Sequence, residues 1–532
     1  MSQPKGRYSA SKPLQTAAGW SVERCTPPSR LYGANGLRTG PDGRVYVAQV
    51  AGSQISALDV GTGAIETVSP MGSDVVAPDD LAFDSRGNMY ITEYYDGRVS
   101  VRGTDGRTRV LNGDVPGANG VTVHQDRLFI DECRIGGRVL ELDRNGGAPR
   151  VLLENLPLPN ALEVGPDGML YFPVLGTNEI CKVSPNGGAM ERVAGDLGGP
   201  TSVKFDAKGF IVSTQVGSGQ VLRVDPRTGD RTVLAQLAPG IDNLTFVGER
   251  LFVSHFTGTI TEILGDGGTR TTVSGGLSWP LDVAVADDGK LYIADGHHMF
   301  VIPPGGALQI VAMFMTPGFP GNVRGLAALK EGELLVSTAN GQVSRYRPAK
   351  SETDVLKDGL DQPYGVAAAP GGNVVVAELG TGRVLSIKDG NIETLASGLR
   401  SPVGVAIAAD GGCFVSEMGA GRVVKVSNGS TETVLDGLQQ PQGVLVRDGQ
   451  LYVVDAGAKT LTALDLKSKA KNVIASGLPV GAPEGVTPKP LRGIVPFTGP
   501  QGPFAGITAG PDGTLYVSGD AEGSVLAVRG RA

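Results

Sequence analysis

The stretch PNALEVGPDGMLYFP, residues 159–173, decides the fold. It reads as a turn, a short apolar strand, a PDG turn and a second strand. Much the same pattern occurs in ANGLRTGPDGRVYVA (34–48) and in LDVAVADDGKLYIAD (281–295). Short alternating strands joined by a DG or GG turn are typical of β-hairpins. The chain therefore repeats a unit that is built from hairpins.

The second strand of this unit and the loop after it occur twelve times, from YVAQVAGSQI (46–55) to YVSGDAEGSV (516–525). Copies lie about 40 residues apart, which is the period of a four-stranded propeller blade. No segment has a convincing helical period. A single blade leaves both faces uncovered, whereas blades in a ring cover each other and expose few strand edges.

The repeat predicts an all-β fold of two tandem six-bladed β-propellers, twelve four-stranded blades in all. We place the first propeller at 1–268 and the second at 269–532, with a split of five and seven blades as the alternative. Residues 20–28, WSVERCTPP, resemble an isolated fourth strand and are predicted to close the first ring. The strand that begins at Thr269 is predicted to close the second ring against the last blade.

Composition narrows the classes of function. The chain has 532 residues, a net charge of −7 and no basic stripe, which argues against a nucleic-acid-binding surface. No apolar run of about 18 residues occurs, so we predict no membrane span. The four cysteines are scattered without metal-ligand spacing. With no signal-peptide pattern visible, the cytoplasm is the expected compartment, and self-association is left open.

One position of the repeat changes chemically between the two halves of the chain. It lies two residues before the first apolar residue of each blade, and we call it the ring position. In the first half it holds short, oxygen-bearing residues: Asn35, Asp79, Asn119, Asn160, Thr201 and Asp242. In the second half it holds Leu281, Arg324, Tyr364, Val403, Gln442 and Ala505. Six oxygen-bearing residues around one axis suit a hard cation such as calcium, although asparagine is also an ordinary turn former.

A second set of candidates lies at the end of the second strand of each blade. It includes Glu93, Glu132 and His255, of which His255 is a candidate general acid or base. Acidic residues at this register also occur in the second half, where a bond to turn backbone is the simpler explanation. A lone histidine is likewise more often structural than catalytic.

The motif around Asn160 resembles the gluconolactonase and senescence-marker-protein superfamily, together with NHL-repeat propellers. PNALEVGPDGMLYFP is similar to that family's P-N-G-L-x-x-S-P-D-G-x-x-L-Y-V signature. The resemblance implies a six-bladed propeller with one divalent cation in its channel, and a lactonase activity. It implies that Asn160 is a metal ligand and that Asn119 contacts the substrate. The family's aspartate and glutamate ligands align with Thr201 and near Asn35, so Asp79 and Asp242 are the carboxylates left to complete the site.

A second resemblance is to virginiamycin B lyase, through the P-x-G-V copies PYGV (363–366), PVGV (402–405) and PQGV (441–444). Members of that family use magnesium with a histidine and a glutamate to eliminate across a C–O bond. This implies a role for His255 in a lyase.

The leading hypothesis is a metal-dependent hydrolase that opens a lactone or related ester, a small-molecule substrate, in the first propeller. The expected metal ligands are Asn160, Asp79 and Asp242, and the expected cofactor is Ca²⁺, with Mg²⁺ or Zn²⁺ as alternatives. The expected proton-transfer groups are His255 and Glu132, and the expected substrate contacts are Asn119, Asn35 and Glu93. A lyase and a non-catalytic binding platform are the alternatives. The second propeller is expected to be structural or to mediate interactions.

Overall fold

The computed structural model describes residues 6–9, 11–427, 429–495 and 497–530. Its strands form twelve antiparallel sheets over these ranges, eleven with four strands and one with five. Two compact units divide the chain. One consists of Arg30–Ser278 with Thr487–Ile494, and the other contains Trp279–Val486 together with the segments that end at Ser29 and begin at Val495. The two tandem six-bladed propellers that the repeat predicts are confirmed.

Blades 1 to 6 make up the first propeller, and each blade runs outward from an inner first strand. The strands of blades 1 to 3 are Leu37–Thr39, Val45–Gln49, Gln54–Leu58 and Ile65–Ser69; Pro78–Phe83, Met89–Glu93, Arg98–Arg102 and Thr108–Asn112; Ala118–His124, Arg127–Glu132, Ile135–Leu142 and Arg150–Pro157. Those of blades 4 to 6 are Glu163–Val164, Leu170–Val174, Glu179–Val183 and Glu191–Ala194; Pro200–Phe205, Ile211–Gln215, Gln220–Val224 and Arg231–Gln236; Ile241–Val247, Arg250–His255, Ile260–Ile263 and Thr269–Val273.

Blades 7 to 12 make up the second propeller. The strands of blades 7 to 9 are Asp282–Val285, Leu291–Asp295, His298–Ile302 and Gln309–Met313; Val323–Ala328, Leu334–Thr338, Val343–Arg347 and Glu352–Lys357; Pro363–Ala368, Val374–Glu378, Arg383–Lys388 and Asn391–Ala396. Those of blades 10 to 12 are Pro402–Ile407, Cys413–Glu417, Arg422–Ser427 and Ser430–Leu435; Pro441–Arg447, Gln450–Asp455, Thr460–Asp465 and Lys471–Ser476, with Gln15–Thr16 added outside; Ile507–Ala509, Leu515–Gly519, Ser524–Gly530 and Trp20–Arg24.

Helix is limited to single turns of 3-10 helix in the described ranges: Leu175–Thr177, Lys330–Gly332, Pro370–Gly372 and Met418–Ala420. No described helix has the length and apolar character needed to cross a bilayer.

The apolar core lies between successive blades rather than at the centre of each ring. One buried cluster joins Leu37 and Val47 of blade 1 to Phe252 and Ile260 of blade 6. The inner strands of these two blades pack together, and the Ser254 hydroxyl donates a hydrogen bond to the Asn35 carbonyl at 2.6 Å. The first ring is therefore closed by blade 6 against blade 1.

Both predictions about the closing strands are wrong. Trp20–Arg24 pairs with Ser524–Gly530, placing Val22 opposite Val528, and so completes blade 12 of the second propeller. Thr269–Val273 pairs with Ile260–Ile263 as the fourth strand of blade 6. The physical reason is the short turn between these two strands, in which Gly267 has a φ of 83°. Such a turn favours a local hairpin over a distant partner. The units accordingly change over at Ser29 and Ser278, not at residue 268.

Candidate active site in the first propeller

The six oxygen-bearing residues of the ring position lie at or just before the inner strands of blades 1 to 6, as the alignment predicts. Asp79, Asn119, Asn160 and Thr201 are buried, whereas Asn35 and Asp242 are partly exposed. Their side chains form contacts from blade to blade. The set therefore forms a polar ring around the channel of the first propeller, and we call it the polar ring below.

Two of its asparagines hydrogen-bond its two aspartates. The Asn119 amide bonds the Asp79 carboxyl, and the Asn35 amide bonds the Asp242 carboxyl. Burial raises the pKa of both carboxyls, and the negative charge of Asp242 adds to the effect at Asp79. Neither carboxyl forms a salt bridge within the described ranges. The polar ring therefore holds two carboxyls that no basic side chain neutralises.

Asn160 joins the polar ring through blade 3. Its Nδ2 lies 3.5 Å from Cys133 Sγ, and its Oδ1 accepts a hydrogen bond from the Ala161 amide at 2.9 Å. The same Ala161 amide lies 3.3 Å from Asn119 Oδ1. Burial and then the charges of Asp131, Asp79 and Asp242 raise the pKa of Cys133 well above its usual range. Asn160 therefore contacts a thiol whose pKa the charges of both aspartates raise.

Asp131 is the residue that the sequence analysis missed. In six other blades a hydroxyl at its register donates a hydrogen bond to the ring-position carbonyl of the next blade; these are Thr92, Thr214, Ser254, Ser337, Ser416 and Ser518. Asp131 Oδ1 instead accepts a hydrogen bond from the Gly120 amide at 3.1 Å, and its Oδ2 is buried without a hydrogen-bond partner. Asp131 is the only ionisable residue at this register among the twelve copies, which is the signal that would have found it.

Burial raises the pKa of Asp131 to about 8, against the opposing effect of its hydrogen bond from Gly120. The negative charges of Asp80 and Glu132 raise it further. A methyl group at Gly120 would lie 2.5 Å from Asp131 Oδ2, so only glycine leaves room for this carboxyl.

Charged side chains close the channel beyond the polar ring. Arg38 of blade 1 reaches Glu163 of blade 4 at 2.7 Å, and Lys204 of blade 5 reaches the same carboxylate at 2.9 Å. Burial opposes ionisation of Glu163, but Lys204 and Arg38 outweigh it and hold its pKa well below the usual range. Asp80 lies 3.8 Å from Arg38. We call these four residues the charged floor.

The charged floor determines the shape of the site. Blades 1 and 4 are opposite each other in a six-membered ring, so the ion pair of Arg38 with Glu163 crosses the channel. Arg38 and Glu163 lie three residues beyond the ring position on their inner strands, which corresponds to about 10 Å along a strand. The polar ring therefore opens into a pocket with a closed end.

The candidates at the ends of the second strands have other partners. Glu132 pairs with Arg134 at 3.0 Å and with Arg138. Glu93 accepts a hydrogen bond from the Val76 amide at 2.6 Å and pairs with Arg98 at 2.7 Å. In the second propeller, Glu378 and Glu417 take the same kinds of partner, a turn amide and an arginine. Such contacts indicate that these glutamates stabilise the turns at the ends of their strands.

His255 is also engaged locally. Its Nε2 lies 2.8 Å from the Pro239 carbonyl, and its Nδ1 lies 3.1 Å from the Thr257 amide. Burial lowers its pKa, and the hydrogen bond to Pro239 only partly offsets this effect. Both ring nitrogens are thus used in positioning the turn that follows the strand, and a neutral imidazole is favoured.

The side chains of the polar ring determine which cation fits this site. In the described part of the chain, no three His, Cys, Asp or Glu side chains come together as a metal site. Zinc, which prefers nitrogen and sulfur ligands, therefore does not fit. A cation here would need amide oxygens beside the two carboxylates, and Asn35, Asn119 and Asn160 offer them. Such an all-oxygen set fits calcium or magnesium.

A cavity of about 1050 Å³ lies away from this pocket, on the outer side of blades 2 and 3. Arginines line much of it, but Arg127 and Arg150 pair with Glu141, and Arg144 pairs with Asp84 and Asp126. Arg127, Arg144 and Arg150 are thus already neutralised by carboxylates of the protein. We therefore place the candidate site at the polar ring.

No family model matches the chain. No curated protein sequence matches it either.

Solved structures are similar to parts of the chain. A virginiamycin B lyase from Staphylococcus aureus is 16% identical over 52% of this chain and 96% of its own, with a TM-score of 0.39. A structure described as a candidate gluconolactonase is 18% identical over 50% of this chain and 98% of its own, with a TM-score of 0.39. A calcium-binding regucalcin from Agrobacterium tumefaciens is 23% identical over 43% of this chain and 82% of its own, with a TM-score of 0.35. Both families that the sequence resembles are represented, and identities this low concern the fold alone.

Proposed function

We propose that the first propeller is a metal-dependent hydrolase that opens a lactone or related ester in the pocket above the charged floor. The observation that carries this proposal is the pair of aspartates, Asp79 and Asp242, which are hydrogen-bonded to asparagines and lack a basic partner among the described residues. Uncompensated carboxylates in a buried pocket are unfavourable unless a cation binds them. A divalent cation with oxygen ligands satisfies this requirement.

Five residues of the polar ring have a role in this proposal. Asp79, Asp242 and Asn160 would hold the cation, calcium being the simplest choice and magnesium the alternative. Asn119 and Asn35 orient the two aspartates and lie where a substrate would contact them. When bound, the cation would supply a Lewis acid that polarises the substrate carbonyl.

We assign proton transfer to Asp131 rather than to Glu132 or His255. Both Glu132 oxygens lie in ion pairs with arginines, and both His255 nitrogens have backbone neighbours. Two carboxyl oxygens beside the polar ring, Asp80 Oδ1 and Asp131 Oδ2, have no hydrogen-bond partner in the described structure. Asp80 lies 3.8 Å from Arg38, whereas Asp131 forms no salt bridge among the described residues. A carboxyl in that state is available to receive or donate a proton at a reacting group.

The first test is the metal content of the purified protein by elemental analysis, for wild type, Asn160→Ala and Asp242→Asn. We expect about one calcium or magnesium per chain in wild type, and loss of that metal in both variants. Asp282→Asn is the matched control, because Asp282 is also a buried aspartate on an inner strand, but in the second propeller. It should keep the metal.

The second test is turnover of lactones in water enriched in oxygen-18. Hydrolysis places solvent oxygen in the product, whereas elimination leaves a double bond and no solvent oxygen. Product of the second kind would support the lyase and would reopen the question of His255. Absence of metal from wild type, even after incubation with calcium or magnesium, would contradict the proposal and leave a binding platform as the better hypothesis.

A further inference from the structure

Arg324 is a buried cation with unused donors. It occupies the ring position of blade 8, is 1% exposed and is among the largest fully buried side chains of the protein. Its Nε and Nη2 are buried and have no hydrogen-bond partner, and its Nη1 lies 3.5 Å from the Pro363 carbonyl. None of the salt bridges in the described ranges includes it. A guanidinium in this state bears a full desolvation penalty.

The two free donors lie on the same edge of the guanidinium. Nε and Nη2 point the same way in the planar group, so they form a fork that matches two oxygens of a carboxylate or phosphate. The face of the group is covered by the Tyr364 ring, whose centroid lies 4.5 Å from Cζ. This contact fixes the plane of the fork and leaves its edge free.

A segment of irregular chain covers the surroundings of Arg324. The Gly499 amide donates a hydrogen bond to the Ala339 carbonyl at 3.0 Å, and the Phe504 ring contacts the Tyr364 ring with centroids 6.0 Å apart. The Ala505 amide donates to Gln442 Oε1 at 2.7 Å. Residues 497–505 therefore lie over the ring positions of blades 9 and 11. This cover excludes water, which strengthens any charged hydrogen bond made beneath it.

A cavity in the channel beside this cover has no basic side chain among its described lining residues. This cavity of about 290 Å³ is lined mainly by glycine, alanine and valine, and by Phe504, with Asp282 as the only ionisable residue. Asp282 accepts hydrogen bonds from the Val283 and Leu326 amides at 2.9 and 2.8 Å, so its carboxyl is engaged by the backbone. Arg324 is therefore not neutralised from within the channel.

We propose that the second propeller binds a small oxyanion, a carboxylate or phosphate group, on the free edge of Arg324, against Tyr364 and beneath residues 497–505. This binding site is independent of the hydrolase pocket, because every contact that builds it lies in the second propeller. The second propeller, which we expected to be structural or to mediate interactions, would then also bind a ligand.

The test is thermal unfolding in a chloride-free buffer, followed by tryptophan fluorescence. Inorganic phosphate and acetate are titrated separately into wild type, Arg324→Met and Arg324→Lys. We expect a saturable rise in Tm for wild type, no rise for Arg324→Met, and a response of Arg324→Lys that needs at least about tenfold more anion because lysine lacks the fork. A response to phosphate alone identifies a phosphoryl ligand, and a response to acetate alone identifies a carboxylate.

Arg383→Met is the matched control, because Arg383 already pairs with Glu378 at 2.6 Å. It should respond to the anions as wild type does. Without added anion, Arg324→Met should be at least as stable as wild type, because it removes an unpaired buried charge. Two results would overturn the proposal: equal responses of wild type and Arg324→Met, or no response of wild type to either anion.

Discussion

At the scale of single residues, the surroundings of a buried carboxyl decide what it can do. Asp79 and Asp242 have amide partners and no salt bridge among the described residues, which suits a cation. Asp282 of the second propeller accepts two backbone amides instead. Burial raises the pKa of Asp282 to about 8, which these hydrogen bonds only partly oppose. Asp282 therefore affects the stability of the second propeller and the way in which that stability depends on pH.

Asp282 should make the second propeller less stable as the pH rises. Its pKa is about 8 in the folded protein, above the ordinary aspartate value of 3.8, so the folded protein keeps a proton that the unfolded chain releases. The contribution is complete below pH about 4 and is lost as the pH rises to about 8, on the order of 1 kcal/mol per pH unit at most. The measurement is the free energy of unfolding in urea across this window, for wild type and Asp282→Asn.

The difference between the two proteins isolates Asp282 from other titrating groups. Asp282→Asn should have the flatter profile, with its advantage over wild type growing toward alkaline pH. Parallel profiles would show that Asp282 has the same pKa in both states.

At the scale of the element, a hydroxyl on the second strand joins neighbouring blades. Ser416 Oγ accepts a hydrogen bond from the Gly404 amide at 2.7 Å in its own blade and donates one to the Gln442 carbonyl at 2.5 Å in the next. It is fully buried, so water cannot replace it. One side chain thus satisfies two backbone groups on two inner strands.

Ser416→Ala should lower the free energy of unfolding by about 1–3 kcal/mol, because it leaves a buried amide and a buried carbonyl without partners. Ser430→Ala is the matched control. Its hydroxyl also donates to a backbone carbonyl, that of Ser427, but in an exposed turn. It should change stability by less than about 0.5 kcal/mol. The measurement is urea unfolding. Equal effects of the two substitutions would show that the hydrogen bond between blades contributes no more to the free energy of unfolding than an exposed one.

The elements were predictable where the determinants are local. The PDG turn of residues 166–168 predicts its hairpin, and the repeat of that hairpin predicts the blades. Aligning the copies also found the six residues of the polar ring. The closing strands were not predictable in this way, because a β-strand does not encode a partner 500 residues away.

The candidate site was only partly predictable, because contacts between residues distant in sequence create it. Asp131 lies on a second strand, where most residues of the repeat pack against the neighbouring blade. Its proposed role depends on a carboxyl oxygen without a hydrogen-bond partner in the described structure, which only the three-dimensional contacts reveal. Arg38 and Glu163 lie 125 residues apart, and each looks like an ordinary exposed strand residue in the sequence. Their pairing follows from the ring.

At the scale of the whole molecule, the two rings are closed in different ways. Blade 6 takes its four strands from one continuous stretch, residues 241–273, whereas blade 12 takes three from the C-terminal part and Trp20–Arg24 from the beginning. Glu23 and Arg529, which are 506 residues apart, form an ion pair across this junction. Only the second ring depends on a strand that is distant in sequence.

Removing residues 1–24 should therefore destabilise the second propeller selectively. The truncation exposes the edge of Ser524–Gly530, and we expect Tm to fall by at least about 5 °C. The remaining tryptophan, Trp279, is buried in the second propeller and reports on it alone. A chain that begins at Gln15 keeps the closing strand and is the control. Hydrogen exchange should show loss of protection in blade 12 and unchanged protection in blades 1 to 6; uniform loss would contradict selectivity.

The distant closing strand also has a consequence for the order in which the protein matures. During synthesis, blades 1 to 6 can be completed as soon as Val273 has emerged from the ribosome. Trp20–Arg24 is made before the blades, yet its partner Ser524–Gly530 is made about 500 residues later, a delay of about 25–100 s at ordinary translation rates. Throughout this interval Trp20–Arg24 has no partner strand, so it is the point at which a chaperone or a neighbouring nascent chain would bind.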